Sequence, residues 1–512
     1  MTVSAEQLSD FGTLQKARAL WAKHDLDSAL DTFDMAIRER PGSLRALLEG
    51  ARAFGGRHEI ARAETLLEEA SRLGSGDGRV SPVIAQSYAR IFRQQRAIEL
   101  LEKQEQVPAA IRAELAVLYE QSGRLEDALG AIEACIREAP GAPEPKLVRG
   151  RILRRKGQLQ DAEAIFSSLA KDDLDVRVQA EAWSELCYIR DAEGDYEAAA
   201  QAISQAHALV RRLPLTGQLI TRARANNAAL GRLSEKLTRR TIESWRRATV
   251  ESDPRCSDIA HLIGFPRSGT TLLERCLDAH PELVASPERV VFSRDIFPRL
   301  CKAGGGALSV ETLNAIPRDA IARERTRYID YMEAALGQPL SGRVHLDKNP
   351  NHTSLLPGLL RLFGESRFIV ALRDPRDVIV SCVLRMFRLT ETSAMLISWE
   401  TACEMYRFEM ETWLRYRELL DADTWVEVRY EDVVAGFEQQ ALRSLEAVGL
   451  SWDERIRDYR TQIINKHVNS PTHSEVRRPI HTDSIGRWRH YRQYLEPHMH
   501  RLEPMIKAFG YD

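Results

Sequence analysis

Residues 263–288, IGFPRSGTTLLERCLDAHPELVASPE, decide the fold of the C-terminal half of the chain. A short apolar run ends at Ile263, which is typical of a buried parallel strand. Apolar residues at helical spacing follow the polar loop 264–271. Strand, glycine-bounded loop and helix together bind phosphate through backbone N–H groups at a helix N-terminus. The stretch therefore predicts an anion site at the end of a strand.

The loop begins like a Walker A motif but departs from it at one position. Thr270 stands where that motif places its lysine. Because this lysine normally reaches a β- or γ-phosphate, its replacement argues against a triphosphate ligand. Arg267, within the loop, supplies a positive charge instead. The alternative is a simple turn with a Ser/Thr helix cap and no ligand.

Composition excludes several functional classes. The chain has 512 residues, enough for two or three domains, and a net charge of −2, which gives no indication of nucleic-acid binding. Its seven cysteines are scattered without a CxxC pair, which favours a reducing compartment. The first residues lack a secretory pattern, and no apolar run approaches the ~20 residues of a membrane span. We therefore expect a soluble, cytoplasmic protein.

Residues 13–212 are predicted to be helical and repetitive. Small residues recur at spacings of 34, 34, 31, 34 and 37 positions, and a larger apolar residue follows each one four positions later. The recurring small residues are Ala29, Ala63, Ala97, Ala128, Ala162 and Ala199. Five positions before each, where two helices must be joined, stand His24, His58, Phe92, Gly123, Gly157 and Gly194.

This period resembles the tetratricopeptide repeat. Such helical pairs cannot bury their apolar faces alone and must stack. The alternative is an irregular helical bundle with accidental periodicity. The expected domains are residues 1–212 with about six repeats, a basic capping or linker helix at 213–256, and an α/β domain at 257–512.

The second half alternates short apolar runs with helical segments, which is typical of an α/β fold. Buried strands are predicted at several places, among them 259–263 and 368–372, and one further strand is expected to end at Tyr430. The polar side chains at the predicted carboxyl ends are Arg267, Lys348, Arg373 and Tyr430. Ligands of open parallel sheets bind beyond the carboxyl ends of the strands. We therefore expect these four residues to converge on one crevice.

A second candidate anion site follows the strand that precedes Arg373. If the chain is helical from Val378, Ser381 and Arg385 lie four residues apart on one helix face. Arginines and a hydroxyl are natural phosphate ligands. The alternative for Arg373 is a surface ion pair with a neighbouring aspartate.

With two anion motifs, the sequence resembles a sulfotransferase. GFPRSGTTLLERCLDAHPEL resembles the 5′-phosphosulfate loop of that family, and RDPRDVIVSCVLR resembles its 3′-phosphate motif. The whole chain is similar to bacterial tetratricopeptide-repeat sulfotransferases, whose catalytic half is similar to tyrosylprotein sulfotransferases. The expected fold is multidomain, an all-α tetratricopeptide-like solenoid followed by an α/β P-loop-like sulfotransferase domain with a central parallel sheet.

The resemblance implies the donor 3′-phosphoadenosine-5′-phosphosulfate, the product adenosine 3′,5′-bisphosphate and no metal. It implies donor-binding roles for Arg267, Ser268, Gly269, Thr270, Thr271, Arg373, Ser381, Arg385, Tyr430, Thr472 and Arg487. Thr472 opens a loop similar to the one that closes over the donor, and Arg487 takes the place of a family lysine.

The catalytic residues implied by the resemblance are Glu288 and Lys348. Lys348 would balance charge on the bridging oxygen as the S–O bond breaks. Glu288 would act as the general base, and the alternative is a solvated loop carboxylate. Val290 stands where tyrosylprotein enzymes keep an arginine, which departs from peptide-tyrosine specificity. Fallback bases are His345, His352, His473 and His481.

The predicted function is sulfuryl transfer to an acceptor hydroxyl. The acceptor stays open among a peptide tyrosine, as in protein sulfation, a glycan and a small alcohol or phenol. The repeats are also a candidate surface for a protein or peptide partner. The alternatives are a repeat scaffold with an inactive nucleotide-binding module, or a P-loop kinase or NTPase.

Overall fold

The computed structural model describes residues 3–74, 77, 79–103, 109–171, 173–248, 255, 258–459 and 481–511. Contacts divide the chain into two compact units. Unit 1 comprises Met1–Ile152 and Asp330–Pro339, and unit 2 comprises Leu153–Ile329 and Leu340–Asp512. The domain bounds expected from the sequence, 1–212, 213–256 and 257–512, stay predictions, because compact contact units need not coincide with domains.

Unit 1 is built from short helices that pack in consecutive pairs. They are α1 (Gly12–Ala22), α2 (Leu26–Glu39), α3 (Leu44–Gly56), α4 (Ile60–Gly74), α5 (Ser81–Arg90), α6 (Gln94–Glu102), α7 (Ala109–Gln121) and α8 (Leu125–Glu138). Helix α9 (Pro143–Arg155) begins in this unit and ends in unit 2.

The repeat pattern is confirmed by burial and by backbone geometry. All six recurring alanines are fully buried, as are the larger apolar residues four positions after them. The six residues expected at the turns all have positive φ, between 60° and 84°. Because L-residues avoid this region, a left-handed turn at one fixed place in each repeat is a specific geometric signature.

Unit 2 begins with helices α10 (Leu159–Lys171), α11 (Val176–Ala192), α12 (Tyr196–Arg211), α13 (Pro214–Lys236) and α14 (Arg239–Arg247). Side chains cap three of them: Asp175 accepts from the backbone N–H of Arg177, Asp195 from that of Ala198 and Thr238 from that of Thr241. Within the described part of the expected connecting segment, residues 214–236 and 239–247 are helical, as the sequence pattern predicted.

A parallel five-stranded sheet forms the centre of unit 2. Its strands are β1 (Ile259–Gly264), β2 (Leu283–Pro287), β3 (Val344–Lys348), β4 (Arg367–Leu372) and β5 (Trp425–Arg429). Their order is β2-β3-β1-β4-β5. All four pairings are parallel, and β1 lies at the centre between β3 and β4. The central strand therefore delivers the loop that follows it to the middle of the carboxyl edge.

Helices complete unit 2. They are α15 (Thr270–Leu277), α16 (Phe297–Ala303), α17 (Val310–Ala315), α18 (Arg318–Leu336), α19 (Leu356–Leu362), α20 (Pro375–Val383), α21 (Glu391–Met395), α22 (Trp399–Leu419), α23 (Tyr430–Ala435), α24 (Phe437–Ala447), α25 (Arg492–Leu495) and α26 (Glu503–Ala508). Of these, α18 ends in unit 1. Within the described ranges, no helix combines the length and apolarity that crossing a bilayer requires.

Two local expectations were wrong. Tyr430 opens α23 instead of ending the strand before it. Helix α20 stops at Val383, and the next turn tightens so that the Arg385 N–H donates to the carbonyl of Cys382. Arg385 therefore lies beyond the helix that was expected to carry it.

Candidate active site

A cavity of about 1080 Å³ lies along the carboxyl edge of the sheet in unit 2. Every strand is followed closely by a residue that lines it: Arg267 after β1, Glu288 after β2, Asn349 after β3, Arg373 after β4 and Tyr430 after β5. Parallel strands end at the same edge, so residues distant in sequence meet there. Of the four residues expected to converge on one crevice, Arg267, Arg373 and Tyr430 line this cavity. Lys348 does not line it, but its Nζ lies 2.8 Å from Glu288, which does.

The loop after β1 depends on two glycines. Gly264 has a φ of 146°, and a Cβ there would lie 2.5 Å from the carbonyl oxygen of Ala371. Gly269 has a φ of 89°, and a Cβ there would lie 2.7 Å from Cδ2 of Tyr430. Arg267 also has a positive φ, 73°. A non-glycine residue held in this region carries strain, which is typical of ligand-binding loops.

Both predicted anion motifs meet at one hydrogen bond. The Nε of Arg267 donates to the hydroxyl of Ser381 at 2.9 Å. Arg373 donates through Nη1 to the Arg267 carbonyl at 3.2 Å, and its guanidinium lies 4.9 Å from the ring centroid of Tyr430. Arg385 lines the same cavity. The loop after β1 and the segment 373–385, which contains α20, therefore form one cationic surface.

Lys348 is the most buried charged group of the site. Its side chain is 1% exposed, and its Nζ lies 2.8 Å from Glu288 Oε1 and 3.2 Å from Glu274 Oε2. Its third neighbour is the Thr271 hydroxyl, at 3.5 Å. Burial opposes the charged form, but the two carboxylates outweigh it, so the pKa of Lys348 lies above its ordinary value. The lysine is thus held as a cation beside Glu288.

Sequence reasoning missed Glu274 and the strand that precedes Glu288. Glu274 lies on α15 one turn after Thr270, nearly fully buried, and its charge is compensated by Lys348. The available signal was an acid within the otherwise apolar inner face of a helix. Strand β2 has five residues and ends in Ser-Pro, so it gives little periodic signal.

The fallback histidines divide between two environments. His345 and His352 are buried around Asp347, which also accepts a hydrogen bond from the Tyr328 hydroxyl at 2.9 Å. Burial lowers the pKa of each of these histidines to about 4, so both are neutral at pH 7. Neither lines the cavity, whereas His481 does.

The remaining implied residues lie near the C-terminus, in the loop after β1 and the first turn of α15, or outside the described residues. Arg487 lines the cavity, and its Nη2 lies 2.5 Å from Asp191 Oδ2. Ser268, Thr270 and Thr271 are buried in the loop and the first turn of α15. Thr472 and His473 lie outside the described residues.

A parallel sheet with a glycine-bounded loop after its central strand and arginines after the next strand defines an anion-binding α/β domain. Residues 261–454 match the model of the sulfotransferase family, and residues 147–211 match that of the tetratricopeptide repeat. The resemblance seen in the sequence is thereby confirmed. The chain carries a sulfotransferase domain preceded by tetratricopeptide-like helices, and its activity class is sulfuryl transfer to an acceptor hydroxyl.

Two curated relatives each match about half of the chain. Protein-tyrosine sulfotransferase 2 of Gallus gallus is 26% identical over 262 residues, which span 49% of this chain and 68% of the relative. Protein-tyrosine sulfotransferase A of Caenorhabditis elegans is 24% identical over 289 residues, 52% of this chain and 70% of the relative. Among solved structures, the sulfotransferase domain from the Synechococcus PCC 7002 olefin synthase is 21% identical, with a TM-score of 0.34, and covers 50% of this chain and 97% of that domain.

Proposed function

We propose that this sulfotransferase takes its sulfuryl group from 3′-phosphoadenosine-5′-phosphosulfate. The observation that carries the proposal is the hydrogen bond from Arg267 to Ser381, which joins the two anion motifs in one cavity. A donor with a phosphosulfate at one end and a separate phosphate at the other needs two adjacent anion sites. A single phosphate chain would need only one.

The chemistry of the lining residues fits this donor. The Nε of Arg373 is buried and has no hydrogen-bond partner in the described part of the chain. Such a donor group is costly unless a ligand satisfies it. Arg373, Ser381 and Arg385 would hold the 3′-phosphate. The 5′ end would lie on Arg267, Ser268, Gly269, Thr270 and Thr271, with Tyr430 against the adenine and Thr472 and Arg487 closing the site.

The bound donor supplies an activated sulfuryl group, and the protein supplies proton removal and charge. Glu288 is 45% exposed at the cavity and can take the proton of an acceptor hydroxyl on a carboxylate oxygen. Its protonation removes one of the two charges facing Lys348. Because Glu274 stays beside the ammonium, Lys348 remains a cation that can balance the leaving oxygen.

The acceptor in this proposal is a hydroxyl compound of open identity: a peptide tyrosine, a glycan or a small alcohol or phenol. Val290 lines the cavity, so the departure from the tyrosylprotein pattern lies at the site itself. We further propose a cytoplasmic location and a protein or peptide partner on the repeats. No observation favours the inactive scaffold or the P-loop kinase.

The test is a calorimetric titration of the full chain with adenosine 3′,5′-bisphosphate and, separately, with ATP and magnesium. We expect the bisphosphate to bind in preference to ATP, and Arg373→Ala to weaken its binding by at least about tenfold. The matched control is Arg407→Ala, an arginine half-exposed on α22 that pairs with Glu411. Preference for ATP, or equal effects of the two variants, would overturn the donor assignment.

A further inference from the structure

One face of helix α11 touches the cationic side of the cavity. Helix α11 lies within residues 147–211, the part that matches the tetratricopeptide model. Three of its residues make these contacts: Cys187 with Leu384, Tyr188 with Arg385, and Asp191 with Arg487. All of these contacts lie within unit 2. The helix is therefore in direct contact with the donor-side arginines.

Asp191 is engaged through both carboxylate oxygens. Oδ2 lies 2.5 Å from Nη2 of Arg487, and Oδ1 accepts from the Tyr491 hydroxyl at 2.6 Å. The side chains of Asp191 and Arg487 are only about one-fifth exposed. Burial disfavours the guanidinium charge, but Asp191 more than offsets it, so the pKa of Arg487 is raised. The contact is thus a partly buried, charge-assisted pair.

Tyr188, one turn earlier on α11, lies against a second predicted donor ligand. Its ring centroid is 5.7 Å from the guanidinium carbon of Arg385 and 4.1 Å from that of Arg154. The neighbouring Cys187 thiol donates to the carbonyl of Leu384 at 3.7 Å. Residues 384 and 385 lie beyond the end of α20, and these contacts from α11 help to hold them in place.

We propose that α11 orients the donor-binding arginines, with Asp191 as the positioning residue of Arg487 and Tyr188 as that of Arg385. A guanidinium has five N–H groups, so a carboxylate on one edge leaves others for a phosphate. Holding a long side chain in place lowers the entropy lost when the ligand binds. The inference rests on the proposed function, because it assumes that the cavity takes adenosine 3′,5′-bisphosphate.

If Asp191 hindered ligand binding instead of helping it, the experiment would give a different result. A carboxylate that drew Arg487 away from the ligand would compete with the phosphate for the guanidinium. Removing its charge would then tighten binding. The positioning role predicts weaker binding, so the direction of the change separates the two.

The experiment measures the dissociation constant of adenosine 3′,5′-bisphosphate by calorimetry for the full chain, for Asp191→Asn, for Arg487→Ala and for the double variant. We expect Asp191→Asn to bind about tenfold more weakly. In the Arg487→Ala background the same change should have no further effect, since Asp191 would act only through Arg487. The control is Glu193→Gln, an acid two residues away that pairs with Arg190 and should leave affinity unchanged.

A merely structural role would give a different pattern. It would lower the melting temperature and add its loss of affinity to that of Arg487→Ala, which would overturn the inference. Unchanged or tighter binding by Asp191→Asn would overturn it as well. If that variant does not fold, Tyr491→Phe replaces it, because this change removes only one hydrogen bond to Asp191. Weaker bisphosphate binding by Tyr491→Phe in the wild-type background, but not in the Arg487→Ala background, supports positioning. Failure of the unaltered chain to bind the bisphosphate refutes the proposed function itself.

Discussion

Replacing Glu409 with glutamine should stabilise the protein at pH 8. Glu409 lies on α22 with only 4% of its surface exposed, and it also lines the cavity. Its oxygens accept from the backbone N–H of Ser354 at 3.0 Å and from the Ser354 hydroxyl at 2.9 Å. Burial dominates over these two hydrogen bonds and raises the pKa of Glu409 from 4.5 to about 7.

The direction of the change in stability follows from how many protons the folded and the unfolded states bind. Between pH 4.5 and about 7 the folded protein holds a proton on Glu409 that the unfolded chain has lost, so stability falls as the pH rises. Above pH 7 the cost is constant, and the pKa difference corresponds to about 3 kcal/mol. Glutamine is neutral, has the same shape and can keep both contacts with Ser354. It should therefore recover about 3 kcal/mol at pH 8 and almost nothing near pH 4.5.

The assay is urea unfolding at pH 5 and pH 8, followed by tryptophan fluorescence, to which the buried Trp413 on the same helix contributes. The control is Glu411→Gln, an exposed acid paired with Arg407, which should change stability by less than about 0.5 kcal/mol. A gain of equal size at both pH values would refute the reasoning, because it would not arise from ionisation. A loss at pH 8 would refute it too.

Three further changes probe the centre of the site. Lys348→Met should lower kcat, measured by transfer of labelled sulfate, about 100- to 1000-fold, while the affinity for the bisphosphate, measured by calorimetry, changes little. Equal losses of kcat and of bisphosphate affinity would contradict the charge-balancing role. Glu274→Gln should destabilise the fold by about 3 kcal/mol in urea unfolding at pH 8, because buried Lys348 then keeps only the half-exposed Glu288. The pKa of Lys348 is raised in the folded state, so the stability from its charge is present below pH 10.5 and disappears as the pH rises through the folded pKa. If Glu274→Gln destabilised the fold equally above that pKa, the ion-pair account would be wrong. Gly269→Ala should weaken bisphosphate binding about tenfold by calorimetry, because its Cβ would lie 2.7 Å from the Tyr430 ring at a φ of 89°; unchanged affinity would contradict the fit of the loop.

Most of the sheet was predictable because buried parallel strands have apolar sequences. The strands expected at 259–263 and 368–372 match β1 and β4 within one residue. Strand β2 escaped because it is a short edge strand, and its pairing with β3 depends on contacts far away in sequence. Tyr430 was misplaced by one element, since a strand that runs directly into a helix gives no turn signal between them.

The site was predictable where a polar residue follows a strand, as for Arg267 and Arg373. It was not predictable where the partner comes from elsewhere in the chain. Glu274 has the sequence surroundings of a core helix, and only the structure places Lys348 beside it. Asp191 is separated from Arg487 by almost 300 positions. No local pattern connects the two.

The left-handed turn residues determine how such repeats can be counted. Residues 147–211, which match the repeat model, contain two of the six turns, and both of these are glycines. Three of the other four turn positions hold His24, His58 and Phe92, at a cost of about 1 kcal/mol each relative to glycine. The backbone thus adopts the same turn where the residue is less suited to it than glycine. The positive-φ positions therefore mark a turn in four further repeats that lie outside the matched range.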